Sequence, residues 1–159
     1  MQEKSYIQIL IQSLHNKVEA LDNIIQKNKE QFEILSEEEA DMDAFEENVR
    51  AKSEFVDKIV FLDDGFEEVY ARVKEELDTN REAHADEIKQ MQELISEITE
   101  RSMTVQAQEQ RNKELATQQF SKARKKLRSV KAGSKVAAQY YTNMQQLNVI
   151  DPQFMDRKK

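Results

Sequence analysis

Apolar side chains recur at Ile7, Ile11, Leu14, Val18, Leu21 and Ile25, then at Phe32 and Leu35, with Asn28 holding the position between. The steps alternate four and three without a slip. That is the seam of a helix packed lengthwise on other helices, and it predicts a first helix over residues 3–35. Ile9, Leu10 and Ile24 widen the stripe, so more than one neighbour is expected. Asn28 on the seam either fixes register or marks a wet stretch. A break follows at 36–42, where three glutamates stand without an apolar partner, and Asp41 or Asp43 is placed to cap the next helix.

A second seam runs Phe45, Val49, Lys52, Val56, Ile59, Asp63, Phe66, Tyr70, Val73, Leu77 and predicts a helix over 44–78. Its polar entries leave two readings. Lys52 and Asp63 are buried with partners elsewhere, or the face drifts onto Phe55 and Leu62, as a straight helix does against a strict heptad. We read drift. Gly65 lies inside this segment, where a glycine costs roughly 1 kcal/mol relative to alanine. The seam resumes in phase after it, so we read one continuous helix. The next break is 78–81, with Thr79 and Glu82 at capping-box spacing. The alternative is one unbroken helix from Ala44 onward, which would need a second copy to cover its seam.

The third segment, 82–130, has no glycine or proline and would be about 75 Å long as a helix. Its seam is Ile88, Met91, Ile95, Ile98 and Val105, after which the same positions hold Glu109, Asn112 and Ala116. The two earlier helices, at roughly 50 Å each, are expected to cover it only to about residue 115. Beyond that, Phe120, Leu127 and Val130 would project from an overhang. Gly133 suits a helix end. Val136, Tyr140, Met144 and Leu147 then share one face of a short helix, with Tyr141 beside them. The predicted fold is all-α: an antiparallel bundle of three long helices with coiled-coil-like packing, an overhanging third helix and a short amphipathic C-terminal tail helix. The expected division is a bundle domain over 1–131 and a partner-recognition tail over 132–159.

Composition supports long helices, with charged residues at 35%, two glycines and one proline in 159 residues. The absence of cysteine excludes a disulfide frame and a thiolate metal site. The longest apolar run, Ile59 to Leu62, is far short of a membrane span, and Met1-Gln2-Glu3-Lys4 does not begin a signal peptide. No membrane insertion and a cytoplasmic location are expected. Charge is uneven: residues 1–121 hold 14 basic and 29 acidic side chains, whereas 122–135 hold seven basic and no acidic ones. That basic block could contact phosphates, but the acidic body would repel a polyanion and no aromatic interleaves the block, so nucleic acid is not the expected partner.

No catalytic constellation emerges, and neither a cofactor nor a metal is expected. His15 and His84 read as surface or boundary residues, and the paired carboxylates read as solvated faces. The tail is sharper. Adjacent tyrosines and a methionine on an amphipathic helix suit a recognition interface. The expected partner-binding residues are Phe120, Leu127, Val130, Val136, Tyr140, Tyr141, Met144 and Leu147.

The layout resembles the FlgN type of flagellar export chaperone. The resemblance covers most of the length. It rests on a first helix, the acidic break Glu37-Glu38-Glu39-Ala40-Asp41, a second helix with Lys52, a long third helix and the tail Ala138-Gln139-Tyr140-Tyr141-Thr142-Asn143-Met144. It implies a cytosolic holder of hook-associated (hook–filament junction) subunits. The C-terminal part would bind the subunit's terminal helical region, prevent premature assembly and deliver the subunit to the export gate. Tyr140 or Tyr141 would dock there. The basic block 122–135 departs from the family pattern. A structural coiled-coil or scaffold bundle with no chaperone role is the alternative, motivated by the unbroken heptads, which do not by themselves choose an oligomeric state.

Overall fold

The computed structural model describes residues 2–126. Three long helices, α1 (Gln2–Ser36), α2 (Met42–Thr79) and α3 (Ala85–Lys126), follow one another, with a 3-10 turn Arg81–His84 leading into α3. They pack against each other, and no strand occurs among the described residues. The tail helix predicted beyond residue 133 lies outside the described residues.

The helix at the centre is α1, not the longest one. It runs along both α2 and α3. Lys17 meets Asp63 and Gln31 meets Asn48, so α1 and α2 are antiparallel. Asp22 meets Arg101, Asn28 meets Gln108 and the Leu35 carbonyl meets Gln119, so α1 and α3 run parallel. Serving two neighbours rotates its buried stripe. Lys17, Ile24 and Gln31 are buried where Val18, Ile25 and Phe32 were expected, and the latter three are half-buried.

In α2 every predicted seam position is buried, Lys52 and Asp63 included, with Asn48 added. The expected drift onto Phe55 and Leu62 does not occur; both are only half-buried. The two charges stay on the seam because each meets an opposite charge from another helix, Glu109 for Lys52 and Lys17 for Asp63. Asp41 caps α2, its Oδ1 accepting from the Ala44 N–H at 3.1 Å. The helix passes through Gly65 without a break.

The second corner differs from the expected capping box. The Thr79 hydroxyl donates back to the Glu75 carbonyl at 2.8 Å, and α3 begins at Ala85 after the 3-10 turn. The Asn80 amide donates to the Glu76 carboxylate at 2.9 Å, and His84 Nε2 lies 3.0 Å from that same carboxylate. His84, expected at the surface or a boundary, is buried at this corner. These contacts hold the Glu76 carboxyl below its ordinary range, His84 contributing most.

Candidate functional site

The seam of α3 changes chemistry after Val105 rather than ending. Glu109, Asn112, Ala116, Gln119 and Phe120 are all buried. Cover was expected to stop near residue 115; it continues to Phe120. Polar side chains occupy the seam because the facing helices supply matching groups. Lys52 Nζ donates to Glu109 Oε1 at 2.5 Å and to Gln31 Oε1 at 3.4 Å. Gln31 donates to Asn48 Oδ1 at 3.0 Å, and Asn48 donates to the Lys27 carbonyl at 2.9 Å. Asn28, fully buried, donates to Gln108 at 3.0 Å, while its carbonyl accepts from Asn112 at 3.0 Å. The network spans all three helices. Burial pushes the Lys52 ammonium down to about 8, with the Glu109 carboxylate opposing that fall.

Beyond this layer, α3 is sewn to the corner between α1 and α2. Gln119 Nε2 donates to the carbonyls of Leu35 at 3.1 Å and Glu37 at 2.7 Å, and its Oε1 accepts from the Ala40 N–H at 3.4 Å. The last carbonyls of a helix have no intrahelical partner, so a glutamine from α3 finishes α1. The Phe120 ring meets Phe45 edge-on at 5.8 Å between centroids. Phe120 was expected on an uncovered overhang; it is instead part of the core, 8% exposed.

At the level of residue 122 the acidic break and the basic block, distant in sequence, come together. Lys126 pairs with Glu39, each displacing the other's titration: the lysine is raised and the carboxylate lowered, through their hydrogen bond first and their charges second. Glu38, Glu39, Ala40, Met42, Lys122 and Ala123 edge an open groove of about 290 Å³ with an apolar floor. No sequence pattern pointed to this juxtaposition, because it requires α1 and α3 to be parallel and in this register. Lys122, Arg124, Lys125 and Lys126 are exposed.

Of the expected partner-binding residues, Leu127, Val130, Val136, Tyr140, Tyr141, Met144 and Leu147 lie outside the described residues. Among the described residues no group of histidines and carboxylates could hold a metal ion. No described helix is long and apolar enough to cross a membrane. Among the described residues, the last buried positions of α3 are Gln119 and Phe120.

A protein-family model described as "FlgN protein" matches residues 1–148. Comparison with curated proteins and with solved structures gives no match.

Proposed function

The chain belongs to the FlgN family of flagellar export chaperones for hook-associated proteins, a non-enzymatic family, and from that premise we propose how this member holds and delivers its subunit. The bundle is the rigid handle. Residues 127–147 are the recognition segment, with Leu127, Val130, Val136, Tyr140, Tyr141, Met144 and Leu147 presenting an apolar face to the C-terminal helical region of a hook-associated subunit. Phe120 anchors the root of that segment in the bundle and contacts the subunit only if Phe45 yields. Covering an assembly helix in this way keeps subunits from pairing with one another before export. One of the two tyrosines, Tyr140 or Tyr141, docks the loaded chaperone at the export gate. FlgN chaperones are cytoplasmic, and this one works there.

The observation that supports this reading most is the extent of the family match. It runs past the bundle to residue 148 and so takes in the whole candidate segment. Residues 136–150 also contain no charged side chain, in a chain that is 35% charged. Such a stretch suits an apolar partner face better than a solvated helix end. The test is capture of purified hook-associated subunits by the full-length protein and by a truncation after Val130. The truncation should keep the helical content of the bundle and lose capture. Equal capture by both would overturn the proposal. Tyr140→Ala and Tyr141→Ala separate the two roles, since a gate-docking tyrosine loses export while capture persists.

A further inference from the structure

A second stripe runs along α2 on the side turned away from its seam: Glu54, Lys58, Phe61, Gly65, Glu68 and Arg72. The steps are again four and three, and all six residues are exposed. Phe61 is 76% exposed, a larger fraction than at the other exposed large apolar residues described, Ile9, Val60 and Met103. One turn further on, Gly65 faces open space. A Cβ added there would meet nothing within 4 Å, and its φ is not positive. The fold therefore does not need glycine at this position, although glycine weakens a helix interior. Phe61 and Gly65 edge a groove of about 300 Å³ between α1 and α2, beside the half-exposed Ile9. None of the ten residues lining that groove is charged.

A knob and a hole one turn apart on one helix face are self-complementary under a two-fold axis. If α2 of a second copy lies antiparallel with Phe61 over the partner's Gly65, the register is fixed. The neighbouring layers then pair Lys58 with Glu68 and Glu54 with Arg72, each twice. Antiparallel coiled coils face their two seam positions in this alternating way. A parallel pairing would instead set Lys58 on Lys58 and Glu68 on Glu68. Within one copy, Arg72 donates to the Tyr6 hydroxyl at 3.4 Å and lies over the Tyr6 ring at 5.7 Å, while its contact with Glu68, at 3.7 Å, is exposed and can exchange partners. The geometry points to this stripe as the interface of an antiparallel homodimer: Phe61 of each copy enters the neutral groove of the other over Gly65, and the four flanking ion pairs set direction and register. This inference does not depend on the reading of the tail.

The experiment is sedimentation analysis of the full-length protein across the micromolar range, with thermal melting to verify folding. The wild type should be a dimer. Phe61→Glu and Gly65→Leu should be monomers that remain folded, since Phe61 is exposed and a Cβ at residue 65 meets no described atom within 4 Å. Lys58→Glu and Glu68→Lys should each weaken self-association about tenfold or more, because each sets like charges opposite one another twice. Mixed in equal amounts, those two variants should associate as heterodimers near wild-type strength, since every flanking pair is then attractive. A monomeric wild type would overturn the proposal, as would a dimer indifferent to Phe61→Glu and Gly65→Leu, or a mixture no tighter than its parts. So would a monomeric wild type in which Phe61→Glu loses capture of a hook-associated subunit, which would assign the groove to that partner.

Discussion

Lys52 occupies a seam position of α2 with no exposed surface, and its charge is held by Glu109 and Gln31. Its ammonium titrates near 8 against an ordinary 10.5 because burial disfavours the charged form more than Glu109 restores it. Between those two values the unfolded chain holds a proton that the folded chain has released. Raising the pH through that window therefore favours folding, and the contribution is lost as pH falls through the folded value. Urea unfolding of the wild type and of Lys52→Met, measured from pH 8 to 10.5, should show the wild type gaining relative to the variant by about 3 kcal/mol. A flat or falling difference would refute the buried-lysine account. The pair itself makes a second prediction. Glu109→Gln leaves a buried cation without its counter-charge and should cost about 3 kcal/mol at neutral pH. The double variant Lys52→Met/Glu109→Leu replaces both with apolar groups and should fall within about 1 kcal/mol of wild type, or above it. If the double variant is as damaged as the single, packing rather than charge governs this layer.

At the scale of the helix, Gln119 shows how an element depends on groups no local pattern displays. It satisfies the carbonyls of Leu35 and Glu37, which are open only because α1 ends there. Gln119→Ala should destabilise the protein by about 1–3 kcal/mol, the cost of leaving buried polar groups unpaired. It should also speed amide exchange in 37–41 before it affects the middle of α1. Unchanged exchange there would mean the corner is held by Phe45 and Phe120 instead. The spacing of the α2 seam was legible because ten of its buried positions keep one period, but the drift read at Lys52 and Asp63 was wrong, since both stay on the seam with partners on other helices that the spacing does not display. The seam of α1 was legible except at Val18, Ile25 and Phe32, where the buried position is one residue earlier, since a helix between two neighbours buries the middle of its stripe. The second half of α3 was misread. Glu109, Asn112 and Gln119 look like the end of a seam when their partners lie 57 to 84 residues away in sequence. The meeting of the acidic break with the basic block was hidden for the same reason. Opposite charge was visible, but the register that joins Glu39 to Lys126 was not.

For the whole molecule, the buried interior divides along its length. Toward the α2–α3 corner it is built largely of apolar groups, including Ile7, Leu10, Leu14, Phe66, Tyr70, Val73, Leu77, Met91 and Ile98, with His84 and the Lys17–Asp63 pair as its buried polar groups. Toward the end where α3 runs on to the tail it holds Asn28, Gln31, Asn48, Lys52, Glu109, Asn112 and Gln119, with a smaller apolar share. Hydrophobic burial stabilises by about 25 cal/mol per Å² and does not depend on direction, whereas a polar layer contributes little net once its desolvation is counted. The tail-proximal half should therefore open at lower free energy than the corner half, as a cooperative unit that includes parts of all three helices. Native-state hydrogen exchange would resolve this. Amides in 26–35, 45–52 and 106–119 should exchange through a sub-global opening, while those in 7–21, 66–76 and 89–98 should wait for global unfolding. Lys52→Met/Glu109→Leu should raise protection in the first set alone, because it replaces the charges whose desolvation softens that half. Uniform protection, or a softer corner half, would show that the polar layer is as rigid as the apolar one. The predicted gradient puts the bundle's most openable turns in the half that contains the end of α3, next in sequence to the segment proposed to receive a hook-associated subunit. It would let Phe120 part from Phe45 when such a subunit docks, without loosening the corner that holds α2 to α3.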